Sequence, residues 1–143
     1  MIKKRKILIV IADYYSGISN SLLDSAKKTL IKPFKLRVIT VPGVFEIPVI
    51  ISKNIKKFDA FIALGCVIKG ETPHFDFISK ASIEAIMNLS VKNKKPIGNG
   101  IITCLNMKQA IARKNNKGEE AANAVNSVFD ELELDNKDVL VDF

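Results

Sequence analysis

Lys6-Ile7-Leu8-Ile9-Val10-Ile11-Ala12 is a short, almost unbroken apolar run, the pattern of a strand buried on both faces. From Ser16 to Ile31 the apolar positions fall instead at Ile18, Leu22, Leu23, Ala26 and Leu30. That is one stripe of a helix, and Pro33 must end it. Leu36 to Val41 predicts a second strand with some alternation, after which Pro42-Gly43 turns the chain. Phe45, Ile47, Val49, Ile50 and Ile55 predict a second helix that tolerates Pro48 only in its first turn. Asp59 to Cys66 is a third strand. Pro73 to about Val91 is the longest helix, with Ile78, Ala81, Ala85, Ile86 and Leu89 on its apolar face. Pro96 to Thr103 is a fourth strand, interrupted by Gly98 and Gly100. Two helices follow, about Lys108 to Arg113 and Lys117 to Leu132, and the tail from Val139 to Phe143 is too short to assign.

This βαβαβαβαα order predicts a three-layer αβα fold with a central four-stranded parallel sheet. With 143 residues and no repeat, linker or low-complexity segment, one domain spanning 1–143 is expected. In such sheets ligands bind at the carboxyl ends of the strands. Asp13-Tyr14-Tyr15, Pro42-Gly43-Val44-Phe45-Glu46, Cys66 to His74, and Asn99 are all expected at that edge.

Composition narrows the class. Two cysteines, Cys66 and Cys104, are too few for a disulfide framework and lie in or beside apolar runs, so reduced thiols in the cytoplasm are expected. One histidine and two cysteines leave an ordinary structural zinc site short of ligands. No apolar run approaches the roughly 20 residues of a membrane span. Lys3 to Lys6 ahead of the first strand mimic a signal peptide, but the apolar stretch ends at Asp13 with no cleavage site after it. The net charge of +7 raises nucleic-acid binding as a reading. Its basic residues are scattered, without interleaved aromatics, so a basic protein handling a phosphorylated small molecule fits equally well. Of the 22 basic residues three are arginines, and only Arg113 is expected where a loop and a helix end could form a site.

His74 is the only histidine. The segment around it, Gly65-Cys66-Val67-Ile68-Lys69-Gly70-Glu71-Thr72-Pro73-His74-Phe75-Asp76, reads as a strand end, a loop and the first turn of a helix. Such a junction suits an anion. Thr72 is the expected N-cap and Pro73 the first helical residue. A histidine in that turn, beside the positive end of the dipole, is suited to act as a neutral proton acceptor. Gly65-x4-Gly70-Glu71-Thr72 resembles a P-loop, but Glu71 stands where the phosphate-binding lysine belongs, which argues against nucleotide hydrolysis. Asp13-Tyr14-Tyr15-Ser16-Gly17 is a poor match to a flavin phosphate loop, and Asp13 lacks the acidic neighbours of a phospho-receiver. Glu46 could accept hydrogen bonds from a polyol, and one of Tyr14 and Tyr15 could stack on a planar heterocycle.

Pro42-Gly43-x-x-Glu46-Ile47-Pro48 together with Gly65-x-Val67-Ile68-x-Gly70-x-Thr72-x-His74-Phe75-Asp76 resembles the 6,7-dimethyl-8-ribityllumazine synthase family. Gly98-Asn99-Gly100-Ile101-Ile102-Thr103 and Asn116-Lys117-Gly118 extend the match, which runs from Ile7 to about Phe129. The resemblance implies a flavodoxin-like fold and a condensation of 5-amino-6-(D-ribitylamino)uracil with 3,4-dihydroxy-2-butanone 4-phosphate. Phosphate and water are released, with no cofactor and no metal. By position, Tyr14 would stack on the pyrimidine, and Val44, Phe45 and Glu46 would hold the ribityl chain. Cys66, Val67 and Ile68 would face the uracil ring. Gly70, Glu71 and Thr72 would form the phosphate loop, with Arg113 pairing the phosphate and His74 shuttling protons. Asn99, Arg113 and Lys117 would come from a neighbouring subunit, implying a homo-oligomer with sites between copies and no nucleic-acid or membrane partner.

The chain departs from the family's pattern in three places. Asn99 replaces an aromatic residue, only three residues separate Arg113 from Lys117 where relatives usually have more, and the first strand begins almost at once. The last feature favours a plain pentamer, or a pair of them, over a hollow shell. Two other readings share the fold. An archaeal-type riboflavin synthase has no use for a phosphate site, and a non-catalytic lumazine- or flavin-binding protein has none for His74 and Arg113.

Overall fold

The computed structural model describes residues 4–133 and 140–143. Four parallel strands form one sheet: β1 (Arg5–Ala12), β2 (Phe34–Val41), β3 (Ala60–Ile68) and β4 (Ile97–Cys104), in the order β2-β1-β3-β4. The helices are α1 (Ser16–Thr29), α2 (Ile47–Asn54), α3 (His74–Asn93) and α4 (Met107–Glu133), with a short 3₁₀ turn, Val44–Glu46, ahead of α2. The expected three-layer flavodoxin-like architecture is therefore the one observed.

The apolar runs explain the sheet. Ile7 to Ala12 of β1 and Ala60 to Cys66 of β3 are buried throughout, because they form the two central strands with helices on both faces. β2, an edge strand, buries only Val41 fully, which is why its sequence alternates. Alternate side chains divide into two cores. Ile7, Ile9 and Ile11 pack with Leu22, Ala26, Ala122 and Val125 of α1 and α4. Leu8 and Val10 pack with Ile47, Ile51 and Ile86 of α2 and α3.

The two helices expected after β4 are one. Lys114, Asn115 and Asn116 read as a break because asparagine is a poor helix former. The structure carries α4 straight through them. A Cβ on Gly118 would overlap the Leu22 carbonyl oxygen, so α4 and α1 meet backbone to backbone there. The Ser25 hydroxyl donates to the Asn115 carbonyl beside that contact. Packing between the two helices outweighs the propensity penalty of about 1 kcal/mol for glycine. Gly98 makes the matching contact from β4, where a Cβ would strike the Ala121 carbonyl.

Three other expectations change. Pro73, not Thr72, occupies the N-cap of α3, which begins at His74. The Pro73 carbonyl accepts the Asp76 and Phe77 N–H groups. Asn99 is the third residue of β4, paired with Ala63 in mid-sheet, and so does not lie at the carboxyl edge. Arg113 lies inside α4, not where a loop meets a helix end. Of the tail, Val139 falls outside the described residues, and Leu140 to Phe143 belong to no helix or strand.

Candidate active site

The strand order reverses between β1 and β3: β1 leads outward to β2, and the chain then crosses back to β3 and on to β4. Diverging connections leave a crevice at the carboxyl ends of β1 and β3. A cleft of about 670 Å³ lies there, within the range of small-molecule sites. Ala12, Tyr14 and Tyr15 contribute from the end of β1, Gly43 to Glu46 from the 3₁₀ turn, and Cys66, Val67 and Ile68 from the end of β3. Gly70, Thr72, His74, Phe75 and Ile78 close it from the loop and the first turns of α3.

Local bonds hold these segments. The Ser19 hydroxyl donates to the Ala12 carbonyl at 2.6 Å, tying α1 to the end of β1. The Asp13 N–H donates to the Val41 carbonyl at 3.1 Å, so the Tyr14-Tyr15 connection is anchored at its start. Gly65 allows the 3₁₀ turn to close on β3, since a Cβ there would come within 2.7 Å of Val44. The Lys69 N–H donates to the Cys104 carbonyl at 2.9 Å, extending the sheet ladder up to the loop. Beyond it the loop is open: Gly70, Glu71, Thr72 and His74 are all exposed, and a Cβ on Gly70 would meet nothing within 4 Å. The His74 N–H donates to the Thr72 hydroxyl at 3.4 Å, which turns the Thr72 side chain back over the first turn of α3.

Of the residues singled out in the sequence, the cleft brings together Tyr14, Val44, Phe45, Glu46, Cys66, Val67, Ile68, Gly70, Thr72 and His74. Glu71 shares the loop but not the lining. Asn99, Arg113 and Lys117 lie elsewhere. The Asn99 side-chain oxygen accepts the Ile101 N–H at 3.0 Å. Arg113 and Lys117 line a second hollow of about 220 Å³ with Ile101, Ile102, Thr103, Asn116 and Glu120. They are four residues apart in one continuous helix and so share a face, and Lys117 pairs with Glu120 at 3.8 Å. Both cations therefore stand on one wall of that hollow. Tyr15, offered in the sequence only as an alternative to Tyr14, also lines the cleft, as do Phe75 and Ile78, to which the resemblance assigns no site role. Ile78 was legible, four residues after His74 on the same helical face.

Burial pushes the Cys66 thiol up from an ordinary 9.0 to about 12, with Cys104 beside it adding to the shift. Cys66 therefore lines the cleft as a neutral, apolar group, not a nucleophile. Folding holds the proton that an unfolded chain releases. The Cys66 contribution to stability is complete below about pH 9 and is lost as pH rises toward 12. At pH 8, Cys66 should react with iodoacetamide at least about a hundredfold more slowly than in urea-unfolded protein. Mass spectrometry of timed labelling checks this, and equal rates would place the thiol in a different environment.

A parallel sheet with a substrate-sized cleft at its switch point, polar at the loop and aromatic at the rim, defines an α/β enzyme of small-molecule chemistry. Residues 4–133 match the family described as 6,7-dimethyl-8-ribityllumazine synthase. A protein of that name from Bartonella henselae is 47% identical over 131 residues, covering 85% of this chain and 84% of its own. One from Methylorubrum extorquens strain PA1 is 42% identical over 136 residues, covering 87% and 79%. A third, 6,7-dimethyl-8-ribityllumazine synthase 1 of Rhodopseudomonas palustris, is 44% identical over 131 residues, covering 83% and 80%. The chain belongs to the 6,7-dimethyl-8-ribityllumazine synthase family.

Proposed function

We propose that this protein condenses 5-amino-6-(D-ribitylamino)uracil with 3,4-dihydroxy-2-butanone 4-phosphate to 6,7-dimethyl-8-ribityllumazine in riboflavin biosynthesis, releasing phosphate and water. The observation that carries this reading is the family match over residues 4–133, with the motifs at Pro42 to Pro48 and Gly65 to Asp76 meeting at one cleft. The amine attacks the ketone, the carbinolamine loses water, and phosphate leaves before the ring closes. Each step moves a proton, which His74, at the start of α3, is placed to accept and return. Tyr14 stacks on the pyrimidine, Val44, Phe45 and Glu46 hold the ribityl chain, and Cys66, Val67 and Ile68 face the ring. Gly70, Glu71 and Thr72 offer backbone N–H groups to the phosphate ahead of the α3 dipole. Arg113, Lys117 and Asn99 reach the site from a neighbouring copy. This part of the reading is supported by the separation of the cleft from the Arg113 hollow within one chain. It is supported also by exposed Val49, Phe77, Met87 and Val91 on the α2 and α3 layer, an apolar surface suited to a second copy. A homopentamer in the cytoplasm fits these features and the two free thiols. No described helix is long and apolar enough to cross a membrane.

The test mixes purified protein with both substrates and follows lumazine fluorescence and phosphate release, with the ketone phosphate alone as control. Both products must appear together above the uncatalysed rate. Tight binding of lumazine without turnover would identify a binding protein instead. In the same assay His74→Ala should lower kcat about a hundredfold, yet stay above the uncatalysed rate because the two substrates are still held together. Wild-type kcat in that variant would remove His74 from the proton transfers.

A further inference from the structure

Tyr14 and Tyr15 are adjacent, and both line the cleft, but only one is anchored. Tyr14 is 75% exposed. Tyr15 is half-buried and packs against the core group that contains Ile18, Leu22, Cys66 and Cys104. Its backbone is held as well: it is the residue before α1, and its carbonyl accepts the Ser19 N–H at 2.9 Å. The two rings meet edge to face, with centroids 4.8 Å apart and planes at 77°. That is a favoured aromatic geometry. The Tyr15 phenol is raised above its ordinary range, by burial first and then by Tyr14 and the two thiols, which agrees with a ring set among those groups. An exposed tyrosine keeps rotamer freedom that a stacking ligand must remove. That penalty corresponds to roughly three- to tenfold in affinity.

We propose that Tyr15 is a positioning residue that acts through Tyr14, holding the exposed ring so that its face is presented to the planar heterocycle of the ribitylaminouracil. The inference rests on the role proposed above for Tyr14. Tyr15 buttresses a binding surface from below and touches no reacting atom. Its effect therefore falls on one substrate and vanishes when Tyr14 is gone.

The experiment is a double-mutant cycle in steady-state kinetics, with wild type, Tyr14→Ala, Tyr15→Leu and the double variant, and Tyr15→Phe as the conservative rescue. Tyr15→Leu should raise KM for the aminouracil about three- to tenfold, with kcat and KM for the ketone phosphate within about twofold of wild type. In the Tyr14→Ala background, Tyr15→Leu should add nothing. Tyr15→Phe should restore the wild-type KM, because the ring and its contact remain. Should Tyr15→Leu not fold, Tyr15→Met takes its place in the cycle. Additive losses, or equal rises in KM for both substrates, would show a merely structural role and overturn the proposal. An active wild type with an additive cycle overturns this inference alone. A wild type that forms no lumazine overturns the assigned reaction and the inference with it.

Discussion

Arg113→Ala is expected to lose about two to three orders of magnitude in kcat/KM, with affinity for the ketone phosphate carrying much of the loss. The guanidinium is exposed on α4 in the hollow beside β4, apart from the cleft that holds His74. In the proposed assembly that hollow faces the cleft of the next copy, and the arginine meets the phosphate at the α3 N-terminus. Its forked donors match two phosphate oxygens, and leaving them out strands a dianion with backbone N–H groups alone. The arrangement has a sharper consequence. Arg113→Ala and His74→Ala subunits, unfolded, mixed in equal amounts and refolded together, should recover activity neither shows by itself. Random pairing around a ring leaves about one quarter of sites with both side chains intact. Titrating the mixing ratio against initial rate measures this. Unchanged ketone-phosphate affinity in Arg113→Ala would sink its assignment, and a mixture no better than the average of its parts would place the whole site within one chain.

Gly118→Val should lower the stability of the fold by ~3 kcal/mol, a large part of the 5–15 kcal/mol typical of a domain. A Cβ at this position overlaps the Leu22 carbonyl oxygen and comes within 3.1 Å of the Ser25 Cβ. Neither backbone can retreat without opening the contact between α1 and α4. The sign for Gly118→Ala separates two explanations of the glycine. If it were only a weak point in a helix, alanine would stabilise by about 1 kcal/mol. Because α1 occupies the space, alanine should destabilise instead. Urea denaturation of the three proteins decides it, and a higher midpoint for Gly118→Ala would mean that the helices do not meet there. Lys117 and Arg113 ride on this segment, so a shifted α4 should also weaken substrate binding in the surviving folded protein.

Most of the sheet was legible before folding. The unbroken runs at Ile7–Ala12 and Ala60–Cys66 imply strands covered on both sides, and the partial alternation in β2 implies an edge. Period and punctuation are local properties, and Pro33, Pro42-Gly43 and Pro48 act on their own dihedrals. The cleft was equally legible where its residues belong to short contiguous motifs, as in Val44-Phe45-Glu46 and in Gly70, Thr72 and His74. Motif residues lie within one loop of each other, so their proximity needs little of the fold.

What the sequence determined by itself is therefore the alternating order of elements, the two-sided burial of the central strands and the chemical groups at the carboxyl edge. Tertiary structure decided the rest. Lys114 to Asn116 read as a break, and only the approach of α1 to Asn115 and Gly118 shows why one helix runs straight through. Asn99 sits in mid-strand because the register with β3 sets it against Ala63. Arg113 and Lys117 line a hollow of their own because helix continuity across the short spacing puts them on one face, beside β4. Tyr15 packs against the core group holding Cys66 and Cys104 because β1, β3 and β4 end side by side, bringing together residues far apart in the chain. These outcomes depend on contacts between segments distant in sequence, and intrinsic preferences of about 1 kcal/mol per residue yield to such packing.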